Sequence, residues 1–364
     1  MGDSRLKCWA KKALVQSAIL RTAARLKPPA AVILAYHSVR DEPEHDGNWI
    51  APGITHATRV FTRHMELVAR KFHPVTLEDI LLFVKGEKVL PPRAVAVTVD
   101  DGYLDNIEVA APVLSRFGIS AAFYLTVSMI AQPDAPWFCR VRHAFMTTSC
   151  TKWDSSSHNS SLHNSSLHNR VWDLSSPPAR DAALLTAYDI CAPLVSQAQE
   201  EAVRAIEQEL QVRRTLPERR LMMNWDEAKA LRRAGHVVGS HTLTHPNVAH
   251  VAHSEAQHAE LVESKSRMEK NLGEPVLHFS YPHPALNPQW NKQTLEITRE
   301  AGYLTALTTT KAPVVIGTNP LLLTRLNAPR PEYEFLWNLE RAFLKRQRDP
   351  FESSLQTRES EPYC

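Results

Sequence analysis

A chain of 364 residues is long enough for one large α/β domain with additions or for two ordinary domains. Its 43% hydrophobic and 22% charged residues are globular composition, which excludes a mostly disordered or fibrous chain. A formal charge of +3, from 42 Lys+Arg against 39 Asp+Glu, supplies no strong field to draw the protein onto nucleic acid, so no nucleic-acid partner is expected.

The five cysteines (Cys8, Cys139, Cys150, Cys191, Cys364) are scattered and never spaced as Cys-x-x-Cys, so neither a disulfide framework nor a cysteine-based zinc module is expected. No apolar run approaches the roughly 18 residues of a membrane-spanning helix. Residues 5–26 are basic, with a short apolar stretch from Ala13 to Leu20 and no small-residue cleavage site, which argues against secretory export through this segment. The pattern suits a basic amphipathic helix, either a peripheral contact on an anionic membrane surface or a helix packed on the domain. A cytoplasmic or peripheral-membrane location is the expectation.

After Pro28-Pro29, short apolar runs alternate with helical patterns, the signature of βα repeats and a parallel sheet. Strands are expected at 31–36, 94–99, 120–126, 236–240, 276–281, 303–308 and 321–326. Between them, 61–72 reads as a helix, Thr76 with Asp79 caps the next, and Asn224 with Glu227 opens 225–233. Ser254 with Gln257 opens another, whose Leu261, Met268 and Leu272 recur at helical spacing. About seven strands with intervening helices suggest a barrel or a doubly wound sheet.

Residues 155–169 are three tandem pentads, Ser-Ser-Ser-His-Asn and twice Ser-Ser-Leu-His-Asn, too polar and repetitive for a core. They read as a surface insertion; His158, His163 and His168 offer at most weak metal binding, and Asn159 and Asn164 match the glycosylation sequon. A helical stretch over 179–212 follows, broken at Pro193, with Val203, Ile206 and Leu210 on one face. The organisation is thus a basic segment 1–29 and a main domain 30–330, which carries a low-complexity insertion 150–176 and a helical insertion 178–215. A C-terminal helix and tail, 331–364, completes it.

Four reactive clusters each fall just past the end of an expected strand: His37, Asp100-Asp101-Gly102, His241-Thr-Leu-Thr-His245 and Pro282-His283. That is where barrels and doubly wound sheets assemble active sites. Each alone has a plain reading, a turn for Asp-Asp-Gly and coincidence for a His pair in a chain with 17 histidines. Together, two imidazoles and one carboxylate suffice for zinc or a similar divalent ion with a position left for water. His241 and His245 lie about one helical turn apart, and Pro246 ends that turn. The second aspartate is then free to act as general base on a water whose pKa the ion lowers towards roughly 7. A backbone N–H near Pro282-His283 is placed to hold the oxyanion, and His37 is a candidate acid, since histidine titrates near neutral pH.

Thr98-Val-Asp-Asp-Gly-Tyr103, Ser240-His-Thr-Leu-Thr-His245 and Phe279-Ser-Tyr-Pro-His283 resemble, in that order, the first three motifs of the polysaccharide deacetylase family, also called the NodB-homology or carbohydrate esterase family 4 domain. The resemblance implies a distorted (β/α) barrel of about seven parallel strands and metal-dependent removal of acetyl groups from N-acetylated sugars. By motif position it implies Asp100 as base, Asp101, His241 and His245 as metal ligands with Zn2+ the default ion, and Tyr281 and the His283 backbone at the substrate. Leu34-Ala-Tyr-His-Ser38 resembles the branch acting on poly-N-acetylglucosamine, which implies His37 as general acid. Val99 replaces the usual Phe of the first motif, while Ser280, His283 and Pro284 stand where the family often has Arg, Tyr and Gly. Another cation must then orient Asp100, and Arg325 in Leu323-Thr-Arg-Leu326 is the candidate, the alternative being a surface arginine.

The expected activity is removal of N-acetyl from N-acetylhexosamine in a polysaccharide or lipid-linked glycan. A deacetylase for O-acetyl esters or another amide, an inactive glycan-binding domain and a metal-storage role remain as alternatives. The spare carboxylate argues against the last two.

Overall fold

The expected apolar runs form seven parallel strands: β1 (Ala31–Tyr36), β2 (Ala94–Val99), β3 (Ala121–Leu125), β4 (Val237–Ser240), β5 (His278–Ser280), β6 (Thr305–Thr308) and β7 (Leu323–Asn327). The structure, a computed structural model, describes residues 27–41, 48–158, 170–310 and 312–345, with scattered positions before Lys27. Strands adjacent in sequence pair with each other. β7 closes the ring on β1, where Ile33 lies beside Arg325, and β1 and β2 run in register from Ala31 beside Ala94 to Tyr36 beside Val99. The result is a closed seven-stranded barrel, as the motif resemblance implied. The last strand starts later than expected because Asn319 accepts the Leu321 N–H at 3.0 Å and diverts Pro320–Leu322 into a 3-10 turn.

Side chains alternate across each strand. Val32, Leu34 and Tyr36 of β1 and Val95, Val97 and Val99 of β2 face outward into the shell of helices. Ala31, Ile33, Ala94, Ala96, Ala122, Tyr124, Leu307 and Leu323 form a separate inner cluster, closed at one end by the helix Leu77–Val84 through Leu77, Ile80, Phe83 and Val84. Thr76 and Asp79 start that helix with a reciprocal capping box, as Asn224 and Glu227 do for Trp225–Arg233. The lumen is tight. A Cβ on Gly239 would lie 2.6 Å from the Tyr124 ring and 2.7 Å from the His278 carbonyl, so only glycine fits there. With its strand starts plugged, the barrel opens at the strand ends, where the reactive clusters sit.

A second apolar core lies beside the barrel. The helices Trp137–Thr147, Pro177–Cys191 and Ser196–Glu209 share it with the Trp153–Trp172 pair of a short antiparallel ribbon, Lys152–Asp154 with Val171–Asp173. Val203, Ile206 and Leu210 are buried in it. Buried Arg140 ties it together, reaching Glu207 at 2.7 Å and Glu200 at 2.6 Å. The C-terminal helix is Glu332–Ala342. The basic segment up to Leu26, apart from isolated positions, residues 159–169 with His163, His168 and both sequons, and the tail from residue 346 lie outside the described residues. No helix among the described residues is long and apolar enough to cross a membrane.

One capping expectation is corrected. The helix opening at Ser254 has His253 as its N-cap with no side-chain cap bond, and the Gln257 amide donates to Val251 O instead. The helical run nevertheless continues through a π-turn, Ala259–Glu263, into Ser264–Leu272, burying Leu261, Met268 and Leu272.

Between β1 and the outer helices, the Tyr36 hydroxyl lies 3.2 Å from His64 Nδ1, His64 stacks on Phe335 at 3.9 Å, and His56 Nε2 meets the Ala328 carbonyl at 2.9 Å. Burial pushes His56 down to about 4 and His64 down to about 3, so both fold neutral. The unfolded chain therefore binds more protons below about pH 6.5, and stability falls as pH drops from there towards 4. Denaturant unfolding at a series of pH values is expected to show each histidine contributing about 1.4 kcal/mol per pH unit across that window. A His64→Gln variant is expected to lower the slope by one such increment.

Candidate active site

The chain leaves β2 as Asp100-Asp101-Gly102, and the two adjacent carboxylates diverge. Asp100 N donates to the Tyr36 carbonyl at 2.9 Å, continuing the in-register pairing with β1, so Asp100 still faces the lumen. Asp101 then adopts φ of 75° and Gly102 φ of 86°, a left-handed pair that turns the second carboxylate away. Glycine suits this left-handed position, where a Cβ would also meet Leu125 at 3.0 Å and Ile130 at 3.1 Å.

Asp100 meets Arg325. Both side chains are 2% exposed, and the guanidinium Nη1 lies 2.8 Å from each carboxylate oxygen. Nη1 also reaches Thr98 Oγ1 at 3.2 Å, and Nη2 donates to Ser280 Oγ at 2.9 Å. The surface alternative for Arg325 is thereby excluded; the small Ser280 leaves room for a cation arriving from β7. Burial raises the Asp100 carboxyl, but the charges of Arg325 and His241 outweigh it and hold the group below its ordinary value.

Asp101 meets the histidines. Its Oδ1 is 3.5 Å from His241 Nε2 and 3.3 Å from His245 Nε2, and it is buried without a hydrogen bond. Among the described residues, these three make up the group whose ligand atoms lie within 4.8 Å of one another. A tetrahedral ion with bonds of about 2.1 Å separates its ligand atoms by about 3.4 Å, so the donor set fits a zinc-like ion. Burial would raise Asp101 too, yet His245, His37 and His241 together hold it well below the ordinary range. Burial pushes His241 down to about 4, which leaves a neutral imidazole able to donate a lone pair. Its Nδ1 is 2.7 Å from the Ser280 carbonyl, a contact that places the proton on Nδ1 and the lone pair on Nε2.

The expectation of a helical turn across His241–His245 is corrected. The segment is a loop in which Thr242 (φ 69°) and His245 (φ 62°) are left-handed. Glu260 imposes this path: its buried carboxylate accepts the Leu243 N–H at 2.9 Å, the Thr244 N–H at 2.8 Å and the Thr244 hydroxyl at 2.6 Å. Thr242 Oγ1 accepts the His245 N–H at 3.0 Å. Phe138, half-buried, covers one side of the His245 ring at 4.8 Å between centroids.

The third motif forms the facing wall. The Tyr281 phenol turns outward to Thr298 Oγ1 at 2.9 Å, so only its main chain borders the site. The following loop is fixed by Asn247 Nδ2, which donates to the Ala285 carbonyl at 2.8 Å, and by Gln289, which donates to the Tyr281 carbonyl. The His283 side chain is held within the same loop, its Nε2 3.0 Å from both the Leu286 carbonyl and Asn287 Oδ1. His37 is part-exposed just after β1 and close enough to act electrostatically on both aspartates. Sequence reasoning missed Glu260, Asn247, Phe138 and the Asp105-Asn106 pair beside the His37 loop. Only the last carried a signal, two polar side chains immediately after the first motif.

A polysaccharide deacetylase family model matches residues 87–306, more than half of the chain. YxkH of Bacillus subtilis, described as a polysaccharide deacetylase, is 30% identical over 100 residues, 27% of this chain and 33% of its own length. The alignment thus spans about a third of that relative. Among solved structures, IcaB from Ammonifex degensii aligns with TM-score 0.55 at 16% identity over 87% of this chain and 99% of its own. The Streptococcus pyogenes deacetylase PplD in complex with acetate aligns with TM-score 0.54 at 15% identity over 86% and 99%. A de-N-acetylase from Aggregatibacter actinomycetemcomitans gives 0.54 at 16% over 85% and 99%. Those likenesses are of fold, and with the matched family model and the divergent aspartates in place the chain belongs to the polysaccharide deacetylase family.

Proposed function

We propose that this protein is a metal-dependent hydrolase that removes N-acetyl groups from N-acetylhexosamine residues of a polysaccharide or lipid-linked glycan. The observation that carries this reading is the division of labour between neighbouring carboxylates: Asp101 lies 3.5 and 3.3 Å from two imidazoles, while Asp100, 3.9 Å from His241, is bound to Arg325 at 2.8 Å. A binding domain has no use for that second, ionised carboxylate. The acetate held by the S. pyogenes relative matches the product such a reaction releases.

Asp101, His241 and His245 would hold a divalent ion, Zn2+ by the chemistry of the donor set, which would supply carbonyl polarisation and lower the pKa of a water towards about 7. Asp100, kept ionised by Arg325, takes the proton of the attacking water. Thr98 and Ser280, which share Arg325 with it, hold the pair in the lumen so that the base keeps one orientation. The main-chain N–H of His283 is the donor to the developing oxyanion, since Pro282 and Pro284 on either side of it have none. His37 gives a proton to the departing amine as the C–N bond breaks, leaving acetate and the free amino sugar. Release of acetate from acetylated glucosamine oligomers, with and without a chelator, tests the reading. Turnover of O-acetyl esters alone would favour an esterase.

Replacing Asp100 with Asn is expected to lower kcat by about a thousandfold with metal content unchanged, because general base catalysis contributes roughly 10²–10⁴-fold. His241→Ala and His245→Ala are expected to cut bound zinc, read by elemental analysis of the purified protein. Removal of Arg325 as Arg325→Met leaves burial as the dominant influence on Asp100 and raises its pKa. The acid limb of the kcat/KM profile is expected to move to higher pH, while stability drops by about 3–5 kcal/mol.

A further inference from the structure

β1 and β2 end side by side, Tyr36 opposite Val99, so the residues leaving the two strands run close together. Three consecutive residues after β1 are tied to two consecutive residues after the first motif. Asn106 Nδ2 donates to the His37 carbonyl at 2.7 Å, Ser38 Oγ donates to Asp105 Oδ2 at 2.6 Å, and the Val39 N–H donates to Asp105 Oδ1 at 3.1 Å. Asn106 Nδ2 also donates to Asp105 Oδ1 at 2.9 Å, locking the two side chains together. This orientation spends both amide protons on the clasp and leaves Asn106 Oδ1 buried without a partner among the described residues. A buried amide oxygen left unsatisfied costs stability, and Asn106 bears that cost while its two protons hold the His37 carbonyl and Asp105; Arg40 Nε lies 3.9 Å from Asp105 Oδ2 on the same clasp. The chain widens into a π-turn, Asn106–Ala110, at this point.

We propose that Asp105 and Asn106 are positioning residues of the reaction, setting the reach of the His37 imidazole by fastening residues 37–39. This rests on the reading of His37 as the acid that protonates the departing amine. A donor displaced by about 1 Å loses much of its advantage, so the clasp governs turnover without touching substrate. It affects only the step that needs that proton.

Two substrates separate the effects. The amine of an N-acetylglucosamine oligomer departs only with a proton, whereas the phenolate of para-nitrophenyl acetate leaves without one. Zinc-loaded protein is assayed on both at pH 8, where Asp105, lifted to about 6 by burial, is ionised. Asp105→Ala is expected to lower the amide-to-ester ratio of kcat by about 10- to 100-fold with KM and zinc content held within about twofold. Asn106→Ala, a smaller change, is expected to lower the ratio as well, and Asp105→Asn, which keeps an acceptor for Val39, to restore part of it. His37→Ala lowers the ratio at least as far, and combining it with Asp105→Ala adds little. Equal losses on the two substrates in Asp105→Ala, or zinc lost in step with activity, would show a merely structural clasp and overturn the proposal. A ratio unmoved in Asp105→Ala and Asn106→Ala but lowered in His37→Ala overturns the clasp alone. A ratio unmoved in His37→Ala removes His37 as the acid and the proposal with it.

Discussion

Arg325 and Asp100 form an ion pair inside the barrel lumen, both side chains 2% exposed, and the arrangement of the strand-end site depends on it. Two neighbouring carboxylates facing two imidazoles would otherwise compete for one place. Burial alone favours the neutral acid at Asp100, which could accept no proton. The guanidinium reverses that preference and fixes the orientation, its planar fork engaging Asp100, Thr98 and Ser280 together. A lysine, offering a point charge on a flexible stem, could not hold three partners in one plane. The small side chains of Ala94, Ala96 and Ala122 share the lumen with Tyr124, Ile33, Leu307 and Leu323, and they leave room there for large groups such as Tyr124.

Divergence of the two aspartates also requires strain. Asp101, Thr242 and His245 all occupy left-handed backbone that β-carbon sterics disfavour, and all three lie in the two loops that face each other across the strand ends. Such residues cost of order 1–3 kcal/mol each and persist only where surroundings over-determine them. Here the surroundings can be named. Glu260 grips the main chain between Thr242 and His245, and it sits on a π-turn that brings its carboxylate under the loop. Left-handed Gly102 follows Asp101 directly, where a Cβ would press on Leu125 and Ile130.

Much of this was legible in the sequence, for physical reasons that differ by residue. The strands announce themselves as apolar runs because a helix-wrapped barrel buries both faces of each strand, as at 31–36 and 94–99. The site residues stand out because polar groups directly after such runs have nowhere to go but the open end. Arg325 was readable as the compensating cation once Ser280 was seen to lack one. The loop path was not readable: His-x-x-x-His fits a helical turn as well as a left-handed loop, and what decides between them, Glu260, lies 15 residues beyond His245. Nor was the outward turn of Tyr281, since periodicity reports the face of a residue in a strand and says little one position past its end. The helix Trp137–Thr147 escaped because its aromatic and basic residues serve the second core, whose partners come from segments read as insertions.

That second core bears on the site as directly as the barrel does. Phe138, on the first turn of Trp137–Thr147, lies against the ring of His245, and Asn247, two residues on, donates its N–H to the Ala192 carbonyl at 2.7 Å, where the helix Pro177–Cys191 ends. The Asn247 side chain then holds the 285–286 turn of the opposite wall. One asparagine thus links the helical layer, the His241–His245 loop and the loop after β5. The helix Trp137–Thr147 is fixed in turn by Arg140, whose guanidinium is bidentate to Glu207 on Ser196–Glu209. The helical layer therefore packs directly against the strand-end cluster, through Phe138 on His245 and through the Asn247 N–H on Ala192.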